Sequence, residues 1–123
     1  EVDFLIVLTP YSPATHHLIN AGVIAAMKPG SFLINIARGK VVDESALIAA
    51  LQSGALAGAG LDVFAAEPCP PENPLWQMPN VIMTPHIGGM SDSYARQLLP
   101  LILHNLRAFI GGDRAALRNV VAR

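Results

Sequence analysis

The chain has 123 residues, which suits one domain or part of a larger one. Its net charge is −1, without a basic or acidic run, so the composition argues against a surface for nucleic acid or membranes. Hydrophobic residues make up 52% and charged residues 14%, whereas soluble domains carry about 25% charged residues. This excess of apolar residues indicates strands buried on both faces, or a surface that meets another domain or subunit.

The start of the chain and its cysteine content bear on whether the chain carries a leader or membrane segment and on its cellular setting. Residues 1–3 run into an apolar segment without an initial methionine or a basic leader, and the longest apolar stretch is too short to span a bilayer. A natural N-terminus rarely begins inside a folded element, so we expect a chain that is truncated upstream. The single cysteine cannot form an internal disulfide, which favours a reducing, cytoplasmic setting.

The first half of the chain alternates apolar strands with short helices. Residues 4–8 form a continuous apolar run ended by Thr9-Pro10, which is typical of a strand buried on both faces. A short helix capped by Asn20 precedes a second strand at 32–36. A helix capped by Asp43 and ended by Gly54 then leads to a third strand at 57–63.

The second half begins with a loop that contains five prolines, residues 65–80, in which Trp76 and Met78 are expected to anchor the loop on the core. A short strand at 81–83 follows. A long helix then starts at Ser91 or Asp92, with apolar residues at helical spacing. Because apolar strands alternate with helices, the chain is predicted to form an α/β fold with a parallel sheet and crossover helices.

In open parallel sheets, ligands bind beyond the carboxyl ends of the strands. Arg38 follows the second strand directly, and its guanidinium can bind a carboxylate through two parallel hydrogen bonds. From position alone, a surface arginine at a strand end is an equally good interpretation. Asp62 ends the third strand, where it would be costly to bury unpaired. It should therefore accept hydrogen bonds, either at a site or as the cap of a turn.

Glu67 and His86 are the next candidates, because His86 follows the last strand. A carboxylate that is hydrogen-bonded to an imidazole orients the ring and stabilises its charged form. Taken alone, however, the residues favour the simpler interpretation, in which a loop glutamate and a strand-end histidine never meet. We expect no metal site, because His16 and His17 are adjacent and should point apart, and Cys69 lies far from them.

Three motifs in order change this assessment. They are Leu33-Ile34-Asn35-Ile36-Ala37-Arg38-Gly39 with Val41-Val42-Asp43-Glu44, Leu61-Asp62-Val63-Phe64 with Glu67-Pro68, and Thr84-Pro85-His86-Ile87-Gly88-Gly89. Together they resemble the signatures of the D-isomer-specific 2-hydroxyacid dehydrogenases, over about Val2 to Ile110. The resemblance implies a Rossmann-like fold and an NAD- or NADP-dependent enzyme that interconverts a small 2-oxo acid and a D-2-hydroxy acid, with glyoxylate or hydroxypyruvate as candidate substrates.

The resemblance also implies roles for individual residues. Arg38 would bind the substrate carboxylate, and His86, assisted by Glu67, would exchange a proton with the keto oxygen. Asp62 would meet the nicotinamide carboxamide. The coenzyme site implied by the resemblance comprises Thr9, Pro10, Thr15, Ile36, Ala37, Arg38, Asp62, His86, Gly88 and Gly89.

The sequence departs from the family pattern in two respects. A GxGxxG loop after a first strand, and the residue that selects NAD or NADP, are absent. The predicted sheet is therefore incomplete, with its first half missing. Residues 1–90 would be the later part of the dinucleotide-binding domain, and residues 91–123 a helix and tail returning toward a substrate domain.

Three functional alternatives remain open at this point. The first is the dehydrogenase, as a homodimer through its coenzyme domain, here as a truncated and inactive chain. The second is a nucleotide-sensing corepressor or scaffold, since some relatives use the fold in that way. The third is a separate product with a purely structural role.

Overall fold

The computed structural model describes residues 2–121. The chain forms two compact units, residues 1–88 and residues 89–123. The first unit contains four strands, β1 (Phe4–Val7), β2 (Ser31–Asn35), β3 (Leu56–Leu61) and β4 (Val81–Met83), and two α-helices, α1 (Ala21–Ala25) and α2 (Glu44–Ser53). The second unit contains α3 (Tyr94–Ile110).

The four strands form one sheet in the order β1-β2-β3-β4, and every neighbouring pair is parallel. Helix α1 lies in the connection from β1 to β2, and α2 in the connection from β2 to β3. The predicted α/β fold with a parallel sheet and crossover helices is confirmed. Because all four strands run in the same direction, their carboxyl ends lie along one edge of the sheet.

The helix boundaries follow from side chains that satisfy free backbone groups. The Asn20 side chain accepts hydrogen bonds from the Gly22 and Val23 amides at the start of α1. Asp43 Oδ1 accepts one from the Ala46 amide, 3.2 Å away, at the start of α2. Gly54 ends α2 with a φ of 76°, in the left-handed region that glycine tolerates best. These caps were predicted and are present.

The hydrophobic core lies between the sheet and the two helices of the first unit. Leu33 of β2 is completely buried, and Leu61 of β3 is nearly so. They belong to the same cluster as Ile24 of α1 and Leu47 of α2. Burying one such leucine stabilises the fold by about 2 kcal/mol. The core therefore fixes the strand ends from which the candidate site projects.

The prediction that β1 is buried on both faces is wrong. Leu5 and Val7 face the core, whereas Phe4 and Ile6 are 58% and 53% exposed. Successive side chains of a strand point to opposite faces, so a continuous apolar run does not reveal which faces are covered. Phe4 stacks on Phe32 of β2, with ring centroids 5.2 Å apart. One face of this strand pair is therefore apolar and accessible within the first unit.

The connection from β3 to β4 is the predicted proline-rich loop, which includes a 3-10 turn at Pro74–Gln77. Leu75 anchors the turn, since its side chain is only 1% exposed. Met78 packs against the core as expected. Trp76, expected to do the same, is 52% exposed and donates a hydrogen bond from Nε1 to the Pro70 carbonyl. The adjacent leucine takes the buried position instead.

In the second unit, α3 begins at Tyr94, later than the predicted start at Ser91 or Asp92. His104 Nε2 lies 2.8 Å from the Ala116 carbonyl oxygen, so the tail folds back along the helix. His104 is therefore half-buried rather than fully exposed to solvent. Among the described residues, every helix falls short of the length and apolarity that crossing a bilayer requires.

Candidate active site

A cavity of about 720 Å³ opens at the carboxyl edge of the sheet within the first unit. Its walls come from four segments that are far apart in sequence: the end of β1, the turn after β2, the loop that follows β3 and the loop that follows β4. The lining residues are Leu8, Thr9, Pro10, Tyr11, Ile36, Ala37, Arg38, Gly39, Lys40, Phe64, Ala65, Glu67 and His86. The predicted convergence of Arg38, Glu67 and His86 on one cavity is therefore present in the structure.

Glu67 and His86 are in direct contact. His86 Nδ1 lies 2.7 Å from Glu67 Oε2, and both side chains remain partly exposed. The simpler interpretation, in which the two residues never meet, is therefore wrong. With Nδ1 engaged by the carboxylate, Nε2 is the ring nitrogen left to exchange a proton with a ligand, since no described residue is hydrogen-bonded to it.

The backbone at His86 is unusual. Its φ is 55°, in the left-handed region that only a few per cent of residues other than glycine adopt, asparagine, aspartate and histidine more often than the rest. The turn is closed by a hydrogen bond from the His86 amide to the Thr84 carbonyl, 3.0 Å long. Backbone strain of this kind persists only where the surrounding structure holds it, and it is concentrated at functional sites.

Glu67 is held in its ionised form. Burial opposes its ionisation, but hydrogen bonds from His86 and the Phe64 amide, together with the charges of His86 and Arg38, outweigh burial and lower the pKa of Glu67. The Phe64 amide donates to Oε1 over 3.0 Å, so each carboxylate oxygen has one partner. Glu67 therefore carries a negative charge beside the imidazole throughout the neutral range.

Arg38 stands on a turn organised by a buried amide side chain. Asn35, at the end of β2, is 1% exposed. Its Nδ2 donates to the Arg38 carbonyl over 3.2 Å, and its Oδ1 accepts from the Ala37 amide over 3.1 Å. Asn35 thus fixes the direction in which the Arg38 backbone leaves the sheet. We did not predict this role, although an asparagine inside an otherwise apolar strand was a signal for it.

Asp62 does not line the cavity but organises the turn that carries His86. Its side chain is 5% exposed, and its Oδ1 accepts from Thr84 Oγ1 over 2.6 Å and from the Ile87 amide over 2.9 Å. Its Oδ2 accepts from the Gly88 amide over 2.8 Å. The expectation that a buried Asp62 must be hydrogen-bonded is confirmed.

These contacts determine the ionisation of Asp62 and the residue type at position 88. Burial opposes ionisation, but the hydrogen bonds from Thr84, Gly88 and Ile87 and the charge of His86 outweigh it and lower the pKa of Asp62. A Cβ atom at residue 88 would lie 2.8 Å from Asp62 Oδ2. Glycine at this position therefore allows the backbone to approach the carboxylate closely.

The remaining predicted coenzyme residues occupy different places. Thr9, Pro10, Ile36 and Ala37 line the cavity. Thr15 lies outside it, and its hydroxyl accepts from the Ser12 amide over 2.7 Å and donates to the Pro10 carbonyl over 2.8 Å. Thr15 therefore shapes the loop that presents Pro10. Gly88 ends the first unit, and Gly89 begins the second.

Tyr11 and Lys40 line the cavity although we did not single them out from the sequence. The structure also corrects the expectation that His16 and His17 point apart. Their rings stack with centroids 3.9 Å apart, because His17 adopts a φ of 49° that turns its side chain back. Residues 2–121 contain no group of three or more His, Cys, Asp or Glu side chains placed to hold a metal ion.

A second, more apolar cavity of about 640 Å³ adjoins the first and shares Phe64, Glu67 and His86 with it. Its other walls come from the proline-rich loop and the end of β4: Pro68, Cys69, Trp76, Met83, Thr84 and Pro85. Burial, reinforced by the negative charges of Glu44 and Glu72, raises the pKa of the Cys69 thiol. The thiol therefore stays protonated, which does not favour a role as nucleophile.

Comparison with known proteins identifies the family of the chain. Residues 1–88 match the model of the D-isomer specific 2-hydroxyacid dehydrogenase, NAD binding domain. The chain is 46% identical over 113 residues to glyoxylate/hydroxypyruvate reductase B of Pectobacterium carotovorum, covering 92% of this chain and 35% of that protein. It is 47% identical over 113 residues to glyoxylate reductase of Pyrococcus horikoshii, covering 92% of this chain and 34% of that protein.

Solved structures show the same likeness. A D-isomer specific 2-hydroxyacid dehydrogenase from Xanthobacter autotrophicus Py2, in complex with NADPH and MES, matches with a TM-score of 0.81 and 45% identity, covering 90% of this chain and 45% of that one. An NADPH-dependent glyoxylate/hydroxypyruvate reductase from Sinorhizobium meliloti, in complex with NADP and malonate, matches with a TM-score of 0.80 and 45% identity. The match covers 89% of this chain and 34% of that one.

The chain spans about a third of the length of the curated relatives it matches. Its sheet is the Rossmann-like α/β sheet expected from the sequence, and the family match covers the unit that carries this sheet. The chain belongs to the D-isomer specific 2-hydroxyacid dehydrogenase family, and its residues 1–88 match the NAD-binding domain of that family.

Proposed function

We propose that this chain supplies the catalytic residues of an NAD(P)-dependent oxidoreductase that interconverts a small 2-oxo acid and a D-2-hydroxy acid. The observation that carries the proposal is the 2.7 Å contact between Glu67 and His86 on a cavity that Arg38 also lines. Because the relatives are named glyoxylate or glyoxylate/hydroxypyruvate reductases, glyoxylate and hydroxypyruvate are the substrates to test first.

His86 has the role of proton donor and acceptor. During reduction, its Nε2 gives a proton to the keto oxygen, and during oxidation it takes the proton back from the hydroxyl group. Glu67 holds Nδ1, which fixes the ring orientation and stabilises the imidazolium form. The fixed negative charge of Glu67, supported by its lowered pKa, suits this task.

Arg38 has the role of binding the substrate carboxylate. A guanidinium presents a planar pair of N–H donors that matches the two carboxylate oxygens, and it also polarises a keto oxygen placed next to them. The turn held by Asn35 presents Arg38 to the same cavity as His86. A 2-oxo acid carries its carboxylate and its keto group on adjacent carbons. Arg38 and His86, which line the same cavity, are therefore suited to bind these two groups.

The residues at the strand ends also fit a nicotinamide coenzyme in part. The cavity volume of about 720 Å³ lies in the usual range for small-molecule sites, about 300–1,000 Å³. Thr9, Pro10, Ile36 and Ala37 would hold the coenzyme directly. Asp62 and Gly88, together with Arg38 and His86, complete the proposed site, and Thr15, outside the cavity, would hold the loop that carries Pro10. When bound, the nicotinamide supplies or accepts the hydride.

The domain assignment forms part of the proposal. Residues 1–90 would be the later part of the dinucleotide-binding domain, and residues 91–123 a helix and tail leading to a substrate domain. The family match over residues 1–88 supports the first assignment. Two further parts of the proposal are a cytoplasmic setting, which rests on the single cysteine, and a homodimer, which rests on the family resemblance.

The test is to measure oxidation of NADH and NADPH by the intact protein that carries this chain, with a panel of 2-oxo acids. His86→Asn should lower kcat by about 100- to 10,000-fold, the usual contribution of a general acid. His104→Gln is the matched control, because His104 contacts the tail carbonyl of Ala116. An intact protein that binds nucleotide and a protein partner without turnover would contradict the proposal and favour the corepressor or scaffold alternative.

A further inference from the structure

Glu44 of α2 accepts hydrogen bonds from the loop that carries Glu67. Glu44, the first residue of α2, is partly buried and directs both carboxylate oxygens away from its own helix. Its Oε2 accepts a hydrogen bond from the Ala65 amide, and its Oε1 accepts one from Asn73 Nδ2, each 2.9 Å long. One side chain thus joins α2 to two points of the loop between β3 and β4.

Both points of attachment bear on Glu67. Ala65 follows Phe64, whose amide donates to Glu67 Oε1 over 3.0 Å. A displacement of the Ala65 amide therefore displaces the donor that orients the Glu67 carboxylate. Asn73 is itself fixed, because its Oδ1 accepts from the amide of Leu75, which is 1% exposed. Glu44 consequently connects the Glu67 turn to a segment anchored in the core by the buried Leu75.

Helix capping does not explain the geometry of Glu44. An acidic residue in the first turn of a helix is favourable to the helix dipole wherever its side chain points. The cap of α2 is already provided by Asp43, whose Oδ1 accepts from the Ala46 amide. Both hydrogen bonds of Glu44 instead reach residues 21 and 29 positions away in sequence. The carboxylate is therefore placed to hold the loop.

We propose that Glu44 is a positioning residue that acts through the Ala65 amide to keep Glu67 in contact with His86. This inference rests on the proposed function, in which the Glu67–His86 pair handles the substrate proton. It assigns no contact with substrate or coenzyme to Glu44. Its effect passes through the hydrogen bonds between Glu44, Ala65 and the Phe64–Glu67 turn.

The arrangement allows a swap that restores both hydrogen bonds. In Glu44→Gln, the amide oxygen can accept from the Ala65 amide, but its NH₂ group faces the NH₂ group of Asn73. In Asn73→Asp, two carboxylates face each other. In the double variant E44Q/N73D, the Gln NH₂ donates to one Asp oxygen while the other accepts from the Leu75 amide. The net charge equals that of the unmodified chain.

Two measurements test the proposal. Carboxyl-carbon NMR of Glu67 against pH, in the 123-residue chain, should show a higher pKa in each single variant and recovery in the double variant. In the intact protein, each single variant should lose up to about 100-fold in kcat/KM, the order of effect of misplacing a catalytic group, and the double variant should recover. Glu72→Gln, on the same loop and exposed, should change neither quantity.

The outcomes separate the two proposals. Single variants that leave both the Glu67 titration and kcat/KM unchanged would overturn the role of Glu44. So would a folded double variant as impaired as the single variants, because its hydrogen bonds are complete. If a single variant does not fold, recovery of folding and of the Glu67 titration in the double variant supports the inference. An intact protein without turnover on any 2-oxo acid refutes the proposed function, whereas the NMR titration still decides whether Glu44 positions Glu67.

Discussion

Gly39 and the carbonyl group of Phe64 pack against each other without room for a side chain. A Cβ atom at residue 39 would lie 1.8 Å from the Phe64 oxygen and 1.9 Å from its carbonyl carbon. This contact brings the turn that carries Arg38 against the turn that carries Glu67. The distance between two groups of the candidate site is therefore set by backbone packing, in addition to the side-chain hydrogen bonds.

The first prediction concerns this contact. Gly39→Ala should lower the free energy of unfolding by about 3 kcal/mol, at the upper end for overpacking, because backbone atoms must move apart. The midpoint of urea unfolding of the 123-residue chain measures the effect. Gly60→Ala is the control, since a Cβ atom there would lie 3.8 Å from Ile34, an ordinary contact. Equal midpoints for the two variants would contradict the prediction.

The second prediction concerns Asp62→Asn, which replaces an oxygen by an NH₂ group. If Nδ2 takes the place of Oδ2, it faces the Gly88 amide, and two hydrogen-bond donors then point at each other. The free energy of unfolding at neutral pH should therefore fall by about 1–3 kcal/mol. Asp92→Asn is the control, because Asp92 lies at an exposed position of the second unit, and it should leave the free energy of unfolding nearly unchanged.

The pH dependence of this loss follows from the lowered pKa of Asp62. The stability that ionised Asp62 contributes is fully present above the ordinary pKa of 3.8, and it is lost as the pH falls through the lower pKa of the folded state. The difference between Asp62→Asn and the unmodified chain should therefore shrink in acid. Thermal unfolding measured at a series of pH values tests this, and a difference that grows toward low pH would contradict it.

Part of this arrangement was predictable from the sequence because it follows local rules. Apolar runs separated by capped helices predict the parallel sheet, and strand ends predict where Arg38 and His86 emerge. The pairing of Glu67 with His86 was not predictable from position alone. It followed from the resemblance, since three motifs in order identify an arrangement that no single residue specifies.

The contacts that were not predictable join residues that are distant in sequence. The bonds of Glu44 reach 21 and 29 positions along the chain, and Asp62 reaches 25 and 26 positions to the amides of Ile87 and Gly88. Such pairings leave no periodic pattern in the sequence. The exposed face of β1 was missed for a related reason, because Phe4 and Ile6 are as apolar as their buried neighbours.

The third prediction concerns Arg38→Lys in the intact protein. An ammonium group keeps the charge but loses the planar pair of donors that binds both carboxylate oxygens. The value of kcat/KM for a 2-oxo acid should fall by roughly 10- to 100-fold, which corresponds to about 1.4–2.7 kcal/mol of transition-state stabilisation. Arg96→Lys, on an exposed position of α3, is the matched control. An unchanged kcat/KM for Arg38→Lys would exclude the carboxylate-binding role.

The fourth prediction concerns the pKa of Glu67 in a variant that lacks the His86 imidazole. Asparagine tolerates the left-handed backbone at residue 86 better than most residues, so His86→Asn should fold while it removes the imidazole. Burial raises the pKa of Glu67, whereas the hydrogen bond and charge of His86 are two of the causes that lower it. The pKa of Glu67 should therefore be higher in His86→Asn than in the unmodified chain, as followed by carboxyl-carbon NMR.

The same change has a consequence for stability. Because the lowered pKa of Glu67 stabilises the folded state above its ordinary pKa of 4.5, a smaller shift means a smaller contribution at neutral pH. His86→Asn should thus be less stable than the unmodified chain near neutral pH, and the difference should narrow as the pH falls below 4.5 and Glu67 is protonated in both proteins. His104→Gln should leave the Glu67 titration unchanged. Identical Glu67 titration curves with and without His86 would mean that the 2.7 Å contact does not persist in solution.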